Sequence, residues 1–79
     1  MKPIVDSPAN NQYYISVDGF DVFQSYHTIV ATRVDGKVTL SDGYPYSRTT
    51  SKYLYDWLGM TRAEVHSAIK SGKIEVKEL

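Results

Sequence analysis

From Gln12 onward, apolar and polar residues alternate in short patterns that name their own elements. Tyr13, Tyr14, Ile15 and Val17 are β-branched or aromatic, Asp18-Gly19 follows directly, and Phe20, Val22 and Phe23 resume the pattern beyond it. A type I′ turn needs positive φ at both central residues, and Asp-Gly tolerates this, so the stretch predicts a β-hairpin. The device recurs where Thr28 to Val34 runs into Asp35-Gly36 and then Lys37-Val38-Thr39-Leu40. Strict alternation puts Ile29, Ala31 and Arg33 on one side of that strand and Val30, Thr32 and Val34 on the other, with Val38 and Leu40 continuing the pattern on its partner. Residues 12–40 therefore read as an antiparallel sheet of three or four strands, bent near Gln24-Ser25-Tyr26-His27, where the apolar pattern is interrupted. Residues 1–11, with two prolines and Asn10-Asn11, read as a flexible N-terminal arm.

After Leu40 the period changes. Ser41-Asp42-Gly43-Tyr44-Pro45-Tyr46 is turn chemistry, and the hydroxyl residues from Ser47 to Ser51 are all able to cap a helix. Leu54, Trp57 and Leu58 then fall at i, i+3 and i+4 on one helical face, and Gly59 stands where a left-handed residue closes a helix. A second helix follows at once: Thr61-Arg62-Ala63-Glu64 is a capping box, Val65, Ala68 and Ile69 form the inward stripe, and Gly72 ends it. Ile74 and Val76 share one face of a final short strand. The predicted class is α+β: a small antiparallel sheet, two short helices and a short C-terminal strand, all in one domain over residues 12–79.

Composition narrows what such a domain does. Its 79 residues carry nine Lys+Arg against nine Asp+Glu, which argues against an acidic nucleic-acid mimic and against a strongly basic nucleic-acid binder. With no cysteine there is no disulfide, no thiolate metal site and no thiol nucleophile. The apolar runs are far shorter than the ~20 residues of a membrane span, and no secretory segment opens the chain, so the expected location is the cytoplasm. The two histidines, His27 and His66, have no second ligand at helical or strand spacing, so no metal site is expected. No serine stands in a nucleophile–base pattern, no glycine-rich phosphate loop is present, and Asp18, Asp35 and Asp42 are turn residues. The expectation is a non-enzymatic protein without a cofactor.

Seven tyrosines against two phenylalanines are the unusual feature. Tyrosine brings apolar area and a hydroxyl at low entropic cost, which suits a contact surface. Tyr44, Tyr46 and Tyr55, off the Leu54/Leu58 stripe, join Arg48 and Lys52 as the predicted partner-binding residues. The opposing reading of this segment is structural: the hydroxyls cap the helix and Tyr46 packs on the sheet. A third reading takes the two helices as a helix-turn-helix, with Arg62, His66, Lys70 and Lys73 on the outer aspect of the second as nucleic-acid contacts. From residue 44 onward there are six basic and four acidic residues, a slight excess for that role. An exposed edge on a short sheet also admits a symmetric homodimer.

The segments Ser25-Tyr26-His27-Thr28-Ile29-Val30-Ala31 and Tyr46-Ser47-Arg48-Thr49-Thr50-Ser51-Lys52-Tyr53-Leu54 resemble a family of small, uncharacterised bacteriophage proteins. Its members pair an "SYxTxVA" strand with "YSxTTxxHLxxFL" and a helical end. Here Tyr53 stands in place of the usual histidine and Trp57 in place of the usual phenylalanine. The resemblance covers roughly residues 24–78 and supplies no catalytic residues. It implies a phage origin and a compact α+β fold, not an activity. Small phage proteins without enzymatic motifs commonly act by occupying a host surface. By analogy of class alone, the expected function is therefore a protein-binding module in the host cytoplasm that occupies a host protein or complex, such as an anti-CRISPR-like inhibitor of host defence. The alternative expectation is a small DNA-binding regulator.

Overall fold

The computed structural model describes residues 3–79. Its elements, in chain order, are β1 (Ile4–Ala9), β2 (Gln12–Val17), β3 (Phe20–Ser25), β4 (Thr28–Val34), β5 (Lys37–Leu40), α1 (Arg48–Leu58), α2 (Arg62–Lys70) and β6 (Ile74–Val76). They build one six-stranded sheet in sequential order, antiparallel from β1 to β5, with β6 parallel to β5 at the far edge. Antiparallel neighbours need only tight turns, whereas a parallel pair needs a long crossover, and α1 and α2 supply it. The architecture remains α+β, but the expected three- or four-stranded sheet is corrected to six strands.

The added strand at the N-terminal edge is β1, drawn from the segment expected to be a flexible arm. Met1 and Lys2 of that segment lie outside the described residues; Ile4, Val5 and Asp6 pair with Ser16, Ile15 and Tyr14 of β2. Its prolines disguise it. Pro8 falls where the register shifts between Asp6 and Ala9, on an edge strand, so its missing N–H breaks no regular ladder. The Asn10-Asn11 turn, with Asn11 at φ 64°, makes the β1–β2 connection.

Both Asp-Gly hairpins form as their chemistry requires, with Asp18 and Gly19 at φ 48° and 77°, and Asp35 and Gly36 at 51° and 79°. The expected bend is a tight turn at Tyr26-His27, where Tyr26 takes φ 55° and its amide donates to the Asn11 carbonyl at 2.6 Å. A register shift in the β3–β4 pairing leaves Val30 opposite no residue of β3. Strict alternation therefore fails there: Val30 and Ala31 are both buried, and Ile29 is left exposed.

Helix α1 starts where Ser47 accepts from the Thr50 amide at 3.3 Å and ends on left-handed Gly59. The capping box of α2 closes in both directions: the Thr61 amide donates to Glu64 Oε1 at 2.9 Å, and the Glu64 amide donates to Thr61 Oγ1 at 3.2 Å. Both helices lie on one face of the sheet. There Phe23, Val30, Ala31 and Leu40 from the strands meet Leu54, Val65 and Ala68 from the helices, with Ile74 completing the core. Trp57 stacks on Phe23 with centroids 6.3 Å apart, and the Arg33 guanidinium lies 4.6 Å from the Trp57 ring while pairing with Asp21 at 3.2 Å.

Candidate functional site

The loop from Ser41 to Ser47 crosses the end of the sheet and delivers the chain into α1. Tyr46 pins it. Its hydroxyl donates to the Ser41 carbonyl at 2.7 Å, lies 3.3 Å from the Val30 carbonyl, and is paired with Ser41 Oγ at 2.9 Å. Burial raises the pKa of the Tyr46 phenol, and the Ser41 hydrogen bonds oppose that shift. Tyr46 thus fills the packing role, and Ser47 the capping role, that the structural reading of this segment gave them.

Tyr44 stands edge-on to Tyr46 at 5.4 Å between centroids, lies 5.5 Å from the His66 ring, and its hydroxyl meets that of Tyr55 at 3.3 Å. Burial first, then the Tyr55 hydrogen bond, pushes the Tyr44 phenol up to about 12, with Arg62 pulling the other way. The Tyr44 and Tyr46 hydroxyls therefore stay protonated at neutral pH, with the Tyr46 proton committed to the Ser41 carbonyl. Tyr14, on the sheet below, is held protonated in the same way by burial and by its hydrogen bond to Asp56.

Against this wall lies a groove of about 510 Å³ lined by Pro45, Tyr46, Arg48, Ser51, Lys52, Tyr55 and Arg62. Arg48, Ser51, Lys52 and Tyr55 follow one another at helical spacing on α1, which sets them on one face, while Arg62 enters from the first turn of α2. Three cations converge on the groove and no carboxylate lines it. Among the described residues no ion pair neutralises them; the pairs present are Arg33–Asp21 and Lys77–Glu75. The Lys52 ammonium lies over the neighbouring Tyr53 ring, 5.5 Å from its centroid.

The structure brings together Tyr46, Arg48, Lys52 and Tyr55 in the groove, with Tyr44 behind Tyr55. It divides the other predicted set. Arg62 belongs to the groove, His66 sits against Tyr44, and Lys73 borders a separate hollow with Met60, Ala63 and Glu64. Lys70 is exposed at the end of α2, lining neither groove nor hollow. Arg62, His66 and Lys70 are all exposed and follow one another at i, i+4 and i+8 on α2, and of the three Arg62 lines the groove. Arg62 was legible as a basic residue but not as a member of the tyrosine site, because nothing local tells which way α2 folds back on α1.

On the other side of Pro45 and Tyr46 opens a larger hollow of about 770 Å³. Its ionisable lining is His27, Asp42 and Glu78, with Ser25 and Thr50 bridging sheet and helix at 3.3 Å. Tyr26, 58% exposed, stands at its rim. Sequence reasoning passed over Tyr26 because its neighbours read only as a bend; its exposure follows from the positive φ of the turn. Among the described residues no group of three or more His, Cys, Asp or Glu side chains comes together. Nor is any described helix long and apolar enough to cross a membrane.

A small α+β domain with a groove between α1 and α2 that three cations line is the class that fold and site define. The chain belongs to a family of unknown function, DUF8033, whose pattern matches residues 4–75. That match begins at the first residue of β1. Neither a curated protein nor a solved structure matches the chain.

Proposed function

We propose that this protein is a non-catalytic binding module that uses the tyrosine-walled groove between α1 and α2 to seat an acidic segment of a partner protein. One observation carries the reading: Arg48, Lys52 and Arg62 converge on a concave, hydroxyl-lined surface that contains no carboxylate. Cations beside phenol hydroxyls favour carboxylates, with arginine able to bind them in a bidentate fork. Tyrosine and arginine are also the residue types that dominate binding hot spots. A host-defence role, as small phage proteins without enzymatic motifs commonly have, is one setting for such a module and adds no residue to the argument.

The test is an affinity purification from host lysate with the intact protein, followed by titration of the recovered partner. Reversing two charges in Arg48→Glu/Lys52→Glu should weaken binding by more than tenfold, about 1.4 kcal/mol, and by more at low salt than at high. Unchanged affinity in that variant would move the site elsewhere. Retardation of duplex DNA with a steep salt dependence, lost on Arg62→Ala and Lys73→Ala alike, would favour the nucleic-acid reading instead.

A further inference from the structure

The helices close only one face of the sheet. Phe23 meets Trp57 on that side, so its neighbour Val22 points to the other. The register places Val5 and Ile15 in line with Val22, Phe20 and Val34 in the next row, and Ile29 on the opposite flank. Val5 is 55% exposed, Val34 40%, and Phe20 and Ile29 39% each. Scattered exposed apolar residues are ordinary, but Val5 runs through half-buried Ile15 to Val22, itself buried with 7% of its surface exposed. Phe20 lies between Val17 and Val34 in the adjoining row, while Ile29 stands apart opposite Gln24. Adjoining apolar rows of this kind mark interaction surfaces.

We infer that this open sheet face is the interface of a homodimer in which two copies pack sheet against sheet. The size fits. Strands of three to seven residues at about 3.3 Å per residue and about 4.8 Å spacing make a face of roughly 500 Å² per copy. Two such faces, with side-chain relief added, reach the roughly 1,000 Å² at which specific interfaces begin. The charge fits as well. At its β5–β6 end this face carries Lys37 and Glu75, with Glu75 also paired to Lys77 just past β6 at 3.0 Å, on a chain whose nine positive and nine negative charges cancel, so two copies meet without net repulsion. A strongly charged partner would find only threonines, Thr32 and Thr39, between those ends and the apolar rows. Aligned sheets about 10 Å apart interdigitate just such inward-facing side chains. The cation-lined groove lies on the helix side, so a back-to-back dimer presents two grooves outward and gains avidity toward a partner with repeated acidic segments.

Light scattering and sedimentation equilibrium on the full chain test this. The wild-type protein should have twice its 9.0 kDa chain mass. Val34→Lys and, separately, Thr32→Lys should weaken the dimer at least tenfold while leaving the circular-dichroism spectrum native. Arg48→Glu, on the helix side, should leave the mass unchanged, which separates this interface from the groove. A wild-type protein that stays at the single-chain mass at about 100 µM overturns the inference, since that concentration would populate any dimer of low-micromolar Kd. So does a dimer that survives both lysine substitutions, because its interface would then lie elsewhere, for instance at the outer edge of β1.

Discussion

The two faces of this sheet are made by alternate residues of the same strands, yet they meet opposite fates. On one, Phe23, Ala31 and Leu40 are fully buried; on the other, Phe20 and Val34 keep about two-fifths of their surface in water, although Val22 at its centre is buried among its neighbours. Hydrophobicity does not separate the two sets, since Val34 is as apolar as Val30. What separates them is the chain after Leu40, which lays α1 across β2 and β3 and α2 against β6, all on one side. Alternation decides which residues share a face; only the crossover decides which face is roofed.

The sharpest way to break that contrast is to empty the roof. Leu54 is fully buried against the strands, so Leu54→Ala should cost about 2–5 kcal/mol in urea unfolding, the range for large-to-small changes in a core. Val34→Thr on the open face should change the stability of the monomeric chain by no more than about 0.5 kcal/mol. Equal losses at the two sites would mean that both faces are buried alike, and the contrast would vanish. Next in size is Tyr46→Phe, which strips the hydroxyl that ties the loop to Ser41 and Val30. Leaving those groups short of a partner should cost about 1–3 kcal/mol. Because the ring remains as a groove wall, partner affinity should fall less than in the Arg48→Glu/Lys52→Glu variant.

How much of this was legible depends on the range of the signal. The two Asp-Gly turns, the capping box at Thr61 and Glu64, and the Leu54–Trp57–Leu58 stripe are local chemistry, and each produced the element it predicted. Strand β1 was not legible, because Pro3 and Pro8 mark a loop unless one knows that the strand lies on an edge. The side of the sheet that receives the helices, the bulge at Val30 and the parallel docking of β6 are consequences of tertiary packing and have no local signature. The site divides in the same way. Arg48, Lys52 and Tyr55 were within reach because one helical face holds them, whereas Arg62 joins them only when α2 folds back.

That fold-back depends on a short helix held at its start by one reciprocal cap. Thr61→Ala removes the acceptor for the Glu64 amide and should cost about 1 kcal/mol, the usual loss for an N-cap hydroxyl. The loss should concentrate in α2 and β6. Amide exchange there should accelerate more than in β2 and β3, sharpening the contrast between the part of the roof over the sheet centre and the part at its C-terminal edge. Uniform acceleration across the molecule would mean instead that α2 and the sheet open only together.

The smallest expected effect tests the other half of the same cap. The Thr61 amide, and then the Thr61 side chain, hold the Glu64 carboxyl below its ordinary value of 4.5. A carboxyl depressed in the folded state stabilises fully above its unfolded pKa, and that contribution is lost as pH falls through the folded one. Glu64→Gln keeps an acceptor for the Thr61 amide but does not titrate. Urea midpoints of the wild type and this variant should therefore differ by a constant amount from neutral pH down to about pH 5. Below 4.5 the wild type should lose its share of that difference, and the change should be slight because Glu64 is exposed. A difference that stays flat through the acid range would show that the carboxyl is no better held in the fold than in the unfolded chain. The amide–carboxylate bond would then contribute nothing to seating α2 over the sheet.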